Sequence, residues 1–460
     1  MKLIKTTYIA VALVGASALT GCHMKKFDMS QQQSALAKEY ATAAQAPVDS
    51  ASFGNVRWEQ VFTDPLLADL IREALTANVD LDNARLNIEV ARANMRGARL
   101  AYLPSLALAP QGGASSVSNG KLTNWTYTIP LTASWEVDIF GKTLNNKRAA
   151  EASFRMSQDY AQAVRSQIIG GVANCYYAIG ALQATLNMME ETAELWKQNV
   201  ATMRDYKTIG RTNEAAVMQS EANYYSILAQ IQDIRTQLHE TNNSLALLLR
   251  RQPQFFAIPA LESFAPPVIA LNGVEMSALA SRPDVRAAEE SLAAAYYQTN
   301  YARAAFYPGL TITANYGFTN SFGSMIKNPG DWIASLAGSL VAPIFMRGQN
   351  IARLEAAKAQ QKQTLNNFEK TLLSAASEVS NSLTLYENNR KKAEYLDKQV
   401  EDLVKAQEYT GDLFAAGSAT YLEVLTAQTS LLSARTGRIN CELAQAQAVI
   451  NLYQSLGGGR

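Results

Sequence analysis

The stretch WTYTIPLTASWEV, from Trp125 to Val137, decides the fold of this 460-residue chain. Its side chains alternate between two kinds with a period of two, which is the period of a β-strand and not of a helix. One side of the strand is apolar over its whole length, and the other side is almost wholly polar. The strand therefore faces two different environments. The apolar side is Trp125, Tyr127, Ile129, Leu131, Ala133, Trp135 and Val137. The other side is Thr126, Thr128, Pro130, Thr132, Ser134 and Glu136.

Three other stretches carry weaker forms of this pattern, so the sequence predicts four strands, at about 105–118, 125–138, 309–321 and 332–345. A membrane-spanning β-strand needs about 9–11 residues, which these stretches supply. Aromatic residues stand near the strand ends, as they do in the girdles of membrane barrels. The predicted girdle residues are Trp125, Trp135, Phe318 and Trp332. An amphipathic sheet in a soluble protein alternates in the same way and is the alternative interpretation.

Four strands are too few to close a barrel, for which about eight is the practical minimum. Open sheet edges are not tolerated in lipid. We therefore expect a barrel shared between chains, with eight strands from two chains or twelve from three. The strand pattern alone does not choose between these numbers.

The two halves of the sequence resemble each other at a spacing of roughly 204 to 207 residues. DIFGKTLNNKRAAEA, from Asp138 to Ala152, matches PIFMRGQNIARLEAA, from Pro343 to Ala357, and places Phe140 opposite Phe345. Each half is predicted to fold as helix, strand, strand, long helix, turn and helix, which is the signature of an internal duplication. We expect both phenylalanines to pack where a strand joins a helix.

The predicted repeats are residues 58–262, with a helical hairpin at about 143–249, and residues 263–460, with a hairpin at about 348–455. Apolar residues in the long helices recur at alternating steps of three and four, which predicts coiled-coil packing against a neighbouring helix. In the first hairpin these residues are Ile179, Leu182, Leu186, Met189, Ala193, Trp196, Val200 and Met203.

The first residues carry a targeting signal. Lys2 and Lys5 precede a short apolar segment that ends in Leu19-Thr20-Gly21-Cys22, which resembles a bacterial lipobox. We expect residues 1–21 to be a signal peptide, Cys22 to carry covalent lipid including palmitate, and residues 22–57 to form a lipid-anchored tether. Only a closed barrel could carry the mature chain across a membrane, because it has no apolar stretch of eighteen residues.

Composition excludes several functions. The charge balance of 41 basic to 40 acidic residues shows no basic excess that would point to nucleic acid. His23, His239, Cys175 and Cys441 are too scattered to suggest a metal or catalytic site, and we expect the last two to be free thiols. The motif GKT at Gly141 lacks the earlier glycine of a phosphate-binding loop. We predict no enzyme activity, no metal, and no cofactor besides the lipid on Cys22.

Three stretches resemble the outer membrane factor family of TolC and OprM. These are the segment from Trp58 to Leu106, SWEVDIFGK from Ser134 to Lys142, and the segment from Ser281 to Thr313. The resemblance implies a mainly α-helical chain with a membrane part: a homotrimer with a twelve-stranded barrel in the outer membrane and a coiled-coil α-barrel in the periplasm. It also implies a passive exit duct that exports small molecules such as drugs or metal ions. Its expected partners are a periplasmic adaptor (membrane fusion protein) and an inner-membrane pump of the resistance–nodulation–division type.

The same resemblance assigns a periplasmic gate to YLEVLTAQT, from Tyr421 to Thr429. Leu422 is expected to form a hydrophobic constriction, and Thr426 and Thr429 occupy positions that are often acidic and basic in relatives. Glu423 is expected to place its charge on a neighbouring face. The turns at Gly210 and Gly417 are expected to contact the adaptor.

Three alternatives stay open from the sequence. The first is an outer membrane duct of a type I protein secretion system, within the same family. The second is a lipid-anchored structural protein without a pore, which would have no need for the polar strand face. The third is an enzyme of wall metabolism, although the sequence offers no paired carboxylates or activated nucleophile.

Overall fold

The computed structural model describes residues 25–44, 56–115, 124–261, 276–320 and 331–459. Cys22, the predicted signal peptide and part of the predicted tether lie outside the described residues. The helices are α1 (Ala35–Ala43), α2 (Trp58–Val61), α3 (Pro65–Ala77), α4 (Val79–Leu100), α5 (Lys142–Thr208), α6 (Glu214–Leu248), α7 (Met276–Ala280), α8 (Pro283–Ala304), α9 (Gln349–Ala415) and α10 (Tyr421–Ser455). The strands are β1 (Ser105–Leu108), β2 (Gln111–Ser115), β3 (Asn124–Val137), β4 (Gly309–Thr319) and β5 (Asp331–Val341).

The chain divides into two compact units, and each unit combines segments from both halves of the sequence. The first contains residues 86–158 and 287–370 together with the start of the chain, and it holds the whole sheet. The second contains residues 39–85, 159–286 and 371–460 and is built from helices.

The sheet is antiparallel, with the order β1–β3–β4–β5, and β2 also pairs with β3. The sequence predicts one strand at 105–118, whereas the structure has two strands, β1 and β2, separated by Ala109 and Pro110. Both keep the same register on β3, since Leu108 lies opposite Leu131 and Gln111 opposite Thr128. Pro110 has no N–H group to donate, and this interrupts the ladder without shifting its register.

The two faces of the sheet differ as the alternation predicts. On one face Trp135 lies opposite Ile312, and Ile129 lies opposite Phe318. On the other face the hydroxyl of Thr132 donates to Asn315 Oδ1 at 2.7 Å, and Asn315 Nδ2 donates to Ser335 Oγ at 3.3 Å. These two bonds form a polar ladder across β3, β4 and β5.

A close backbone approach occurs in the middle of the sheet. Gly317 on β4 lies opposite Pro130 on β3. A Cβ atom at Gly317 would stand 2.8 Å from Pro130 Cα and still closer to the carbonyl oxygen of Ile129. A glycine inside a strand often marks such an approach. This position therefore has no room for a side chain.

In the helical unit, Arg282 at the start of α8 ties three elements together. Its side chain is only 7% exposed. Arg282 Nη1 donates to the carbonyl of Ser455 at the end of α10 (2.7 Å), and Nη2 donates to Glu378 on α9 (2.7 Å). Nε and Nη2 also donate to the carboxylate of Asp284 at 3.0 and 2.8 Å. The planar fork of a guanidinium suits this set of acceptors, and an ammonium group cannot reproduce it.

We expect Arg282→Lys to lower the free energy of unfolding by about 2 kcal/mol, because a buried acceptor is left without its donor. The measurement is the thermal unfolding midpoint of the detergent-solubilised protein. Arg72→Lys is the matched control, since Arg72 pairs with Asp69 on an exposed surface, where an ion pair contributes less than about 1 kcal/mol. Equal shifts for the two variants would contradict a structural role for the Arg282 network.

The strand-to-helix joins and the helical hairpins recur with matched lengths. α5 and α9 have 67 residues each, and α6 and α10 have 35 residues each. Each long helix starts directly after a glycine with positive φ, Gly141 (71°) or Gly348 (78°). Glycine adopts this conformation without the Cβ clash of other residues. In the described part of the chain, no helix is sufficiently long and apolar to cross a membrane.

Candidate functional site

The two hairpin tips use the same local structure. At the first, Gly210 has a φ of 74°, and the N–H of Arg211 donates to the carbonyl of Tyr206 at 2.8 Å. At the second, Gly417 has a φ of 78°, and the N–H of Ser418 donates to the carbonyl of Leu413 at 2.8 Å. This is the Schellman end of a helix. A Cβ at either glycine would have open space around it, so the dihedral angle alone requires glycine.

Behind the tips, an apolar cluster joins the four helices of the two hairpins. Met203 on α5, Val217 on α6 and Tyr421 on α10 are buried together, with Phe414 of α9 packed against them. The ring of Phe414 lies 5.7 Å from that of Tyr206 and 6.0 Å from that of Tyr421. Tyr421 directly precedes Leu422, so the start of α10 is held by packing to both hairpins.

The predicted gate residues share one exposed surface of α10. Leu422, Thr426 and Thr429 are four and three residues apart, and all are exposed, with Leu422 68% exposed. This spacing puts them on one helix face. The hydroxyl of Thr426 donates to the carbonyl of Leu422 at 2.7 Å, and that of Thr429 donates to the carbonyl of Leu425 at 2.9 Å. The hydroxyl groups of Thr426 and Thr429 therefore donate their hydrogen bonds within the helix.

Glu423 has a local task that the sequence interpretation did not give it. Its carboxylate accepts a hydrogen bond from the backbone N–H of Thr420 at 2.7 Å. This is one half of a capping box, in which the side chain at the third helical position satisfies the N–H of the cap residue. The pattern Thr420-x-x-Glu423 before an apolar run was the available signal.

We expect Glu423→Gln to behave like the unchanged protein, because glutamine also serves in a capping box. Glu423→Ala should destabilise the start of α10 by about 1 kcal/mol, the usual value of a helix cap. The measurement is hydrogen exchange of the backbone amides at the start of α10, with Glu408→Ala, an exposed glutamate within α9, as control. A change in Glu423→Gln as large as in Glu423→Ala would assign the effect to charge and not to capping.

Three of the four predicted girdle residues have described side chains. Trp332 lies against Phe318 with ring centroids 3.9 Å apart, and Tyr316 is 5.2 Å from Trp332. At the opposite end of the strands, Trp135 Nε1 donates to the carbonyl of Tyr102 at 2.9 Å. The side chain of Trp125 lies outside the described residues. Aromatic residues thus stand at both ends of the apolar sheet face.

No group of three His, Cys, Asp or Glu side chains that could hold a metal ion occurs among the described residues. Cys175 and Cys441 are free thiols, as predicted. Burial raises the pKa of both thiols, and a thiol of raised pKa is a poor nucleophile at neutral pH. His239 is exposed, and its Nε2 lies 3.1 Å from Nδ2 of Asn243 on the same helix.

Sequence reasoning missed the contacts made between distant segments. The Arg282 network joins residues up to 173 positions apart, and nothing in the local pattern pairs them. The phenylalanines at the two strand-to-helix joins differ from each other. Phe140 stacks on Tyr307 with centroids 4.9 Å apart, but Phe345 is 83% exposed. Phe140 therefore packs at its join within the chain as predicted, whereas Phe345 has no such contact within the single chain.

The Outer membrane efflux protein family matches residues 70–249 and 276–458. The chain is 28% identical over 451 residues to the cation efflux system protein CusC of Escherichia coli (strain K12), covering 96% of this chain and 98% of CusC. It is 28% identical over 467 residues to the probable outer membrane lipoprotein SilC of Salmonella typhimurium, covering 100% of this chain and 99% of SilC. A crystal structure of CusC matches with a TM-score of 0.82 at 28% identity, over 90% of this chain and 97% of that one.

The sheet has one polar and one apolar face, and 67-residue helices follow its strands in the sequence. Together with these matches, this fold assigns the chain to a class of outer membrane channel proteins, which are not enzymes. The chain belongs to the outer membrane efflux protein family. It is therefore a channel component of an efflux system located in the outer membrane. The resemblance to the outer membrane factors is confirmed, and so is the mainly helical fold.

Proposed function

We propose that three copies of the chain form the exit duct of a tripartite efflux system, with a shared twelve-stranded barrel continued by a periplasmic tunnel of helices. The observation that carries this proposal is the open sheet. Among the described residues, β5 pairs only with β4, while β1 and β2 pair only with β3. Because all pairings are antiparallel, β5 runs opposite to β1. A ring of copies can therefore close with antiparallel pairs throughout, which removes the open edges that lipid does not tolerate.

In this assembly the apolar sheet face meets lipid, and the polar face lines the water-filled lumen. The ladder of Thr132, Asn315 and Ser335 lies on the lumen side. Hydroxyl and amide groups dominate that face, which suits passive passage of hydrated cargo. Trp135, Phe318, Trp332 and Trp125 would form the aromatic girdles.

The matched lengths of the two hairpins support an internal duplication, in which each protomer supplies two similar units to the ring. The lengths of 67 and 35 residues and the glycines at positive φ recur at the same places in both halves. Three chains would then give six similar units. Such pseudo-sixfold repetition explains how one chain can contribute two hairpins to a single tunnel wall.

The lipid anchor at Cys22 is part of the proposal. SilC, similar over nearly its full length, is named a probable outer membrane lipoprotein. A cysteine that closes a lipobox would be acylated, and more than one acyl chain is needed for stable anchoring. Mass spectrometry of the mature protein should find palmitate and other acyl chains on Cys22 and no residues before it.

The partners that this proposal names are a periplasmic adaptor and an inner-membrane pump of the resistance–nodulation–division type. Gly210 and Gly417 mark the hairpin tips that would contact the adaptor. The cargo would be small molecules such as drugs or metal ions. The name of CusC describes a cation efflux system, which favours small-molecule export over the alternative of type I protein secretion.

The gate of the duct would be the exposed face of α10, with three copies of Leu422 meeting on the threefold axis and Thr426 and Thr429 next along the pathway. A ring of leucines closes a narrow pore by excluding water. Opening would be an untwisting of the hairpins between two states, biased by contact with the adaptor.

A cysteine at the gate tests this proposal. In a background with Cys175 and Cys441 replaced by alanine, Thr426→Cys should form disulfide-linked dimers on oxidation, and export of a fluorescent cargo from cells should stop. A reductant should restore export. Tyr225→Cys, exposed on α6, is the control and should leave export unchanged. Continued export by the cross-linked protein would contradict the gate.

A further inference from the structure

The strongly exposed residues Ile344 and Phe345 lie between β5 and α9, at an edge of the sheet. Ile344 is 97% exposed and Phe345 is 83% exposed. A pair of large apolar side chains so exposed marks a surface that another molecule covers. The two residues follow β5 after Ala342 and Pro343, and the second edge of β5 pairs with no strand among the described residues.

The matching position in the first half of the chain shows what Phe345 lacks. The ring of Phe140, which follows β3, stacks on the ring of Tyr307. Tyr307 directly precedes Pro308 in the segment that joins α8 to β4. The next strand in the sheet after β3 is β4. The ring after one strand therefore packs on the residue that introduces the neighbouring strand.

Applying the same relation to Phe345 identifies its missing partner. The residue that matches Tyr307 is Leu103, because each stands directly before a proline at a helix-to-strand join. Leu103 introduces β1, the strand at the opposite edge of the sheet. Leu103 is 62% exposed, so it also lacks cover. Within one chain, Phe345 and Leu103 lie at opposite edges of the sheet and cannot pack against each other.

The register places both exposed sites at the same end of the strands. Ser105 at the start of β1 pairs with Ser134 near the end of β3, and Val341 at the end of β5 pairs with Gly309 at the start of β4. If β5 of one copy pairs with β1 of the next, strands about 4.8 Å apart bring Phe345 beside Leu103 of that copy.

We propose that Ile344 and Phe345 are the anchor of the contact between protomers, and that Phe345 packs on Leu103 of a second copy of this chain. The contact repeats between chains what Phe140 and Tyr307 form within one chain. This inference rests on the proposed ring of copies. It adds the residues that pack between neighbouring chains at the strand-to-helix joins, a contact called the seam below. The fit is apolar on both sides, and each surface is complementary to the other and not to itself, as a ring requires.

Disulfide trapping tests the seam. In a background with Cys175 and Cys441 replaced by alanine, the pair Phe345→Cys and Leu103→Cys should link neighbouring chains into dimers and trimers on a non-reducing gel. A disulfide needs α-carbons within about 7 Å. The control pair is Phe345→Cys with Leu108→Cys, which lies on the same edge about 16 Å further along the strand. That pair should remain monomeric on the gel.

A second measurement reads the strength of the seam through the temperature at which the oligomer dissociates in detergent. Phe345→Ala should lower this temperature, and Leu103→Tyr, which supplies the ring found at Tyr307, should raise it. If the protein is trimeric but the pair does not cross-link and Phe345→Ala leaves the temperature unchanged, the seam is wrong while the proposed duct stands. If no oligomer forms in the unmodified protein, both proposals fail.

Discussion

Gly317→Ala is expected to prevent pairing of β3 with β4 and, with it, assembly of the proposed barrel. The added Cβ would stand 2.8 Å from Pro130 Cα and closer still to the carbonyl oxygen of Ile129. Both atoms belong to the backbone of β3, which pairs on both sides and cannot move away as a flexible side chain could. Overpacking in a close-packed region typically costs 1–3 kcal/mol, and we expect about 3 kcal/mol per chain here because backbone must shift.

Gly338 on β5 is the matched control for this substitution. A Cβ at Gly338 would meet nothing within 4 Å, so Gly338→Ala should fold and assemble normally. The measurement is the fraction of membrane-extracted protein that runs as an unboiled oligomer on a detergent gel. We expect Gly317→Ala to lose this form and Gly338→Ala to keep it. Equal yields for the two variants would show that β3 and β4 do not approach as closely as the structure has them.

Leu422→Ser is expected to open the closed channel to ions, with an effect of roughly tenfold or more on single-channel conductance, since losing a hydrophobic constriction removes the barrier to wetting. Leu422 is exposed on the single chain. In the proposed gate it forms a barrier to water and ions where three copies meet. Tyr421 behind it is buried in the cluster with Met203 and Val217, so the variant should change the pore without unfolding α10.

The measurement for Leu422→Ser is ion current through the protein in a planar bilayer, without adaptor or pump. Leu195→Ser is the control for the loss of a surface leucine, since Leu195 on α5 is also largely exposed, and it should conduct like the unchanged protein. Cells that carry Leu422→Ser should also become sensitive to large antibiotics that the outer membrane normally excludes. Conductance equal to that of the control would remove Leu422 from the gate.

The strands could be predicted from sequence because their two faces meet different solvents, and alternation records that difference directly. From Thr128 to Val137 every second residue belongs to the same face, and the structure keeps that assignment in its register with β4. The break at Pro110 was the exception. A single proline inside a stretch poor in large side chains changes one strand into two without leaving a trace in the alternation.

The candidate gate was harder to predict because adjacent residues at the start of α10 serve different purposes. Leu422, Thr426 and Thr429 lie together as their spacing requires, but Glu423 is occupied by the N–H of Thr420. Charge alone suggested a role in the pathway, whereas the capping geometry depends on where α10 begins. Helix starts are the least certain feature of a sequence-based assignment.

Phe345 marks the limit of reasoning from one chain. Its sequence match to Phe140 predicted a packed ring, and the structure of a single chain leaves it exposed. In the proposed ring, the last contact of the repeated unit is made with the next copy of the chain. The position of that copy cannot be read from the sequence alone. The repeat relation between Tyr307 and Leu103 supplies the missing half once the sheet order is known.

We propose that the open sheet closes by sharing strands among three chains. This is tested first by the mass of the mature protein, purified from membranes in mild detergent, by light scattering with the detergent subtracted. We expect the mass of three chains. A stable, folded monomer, no heavier than the 50.1 kDa of the full chain, would leave the edges of β1 and β5 unpaired, and strand sharing among chains would then be wrong.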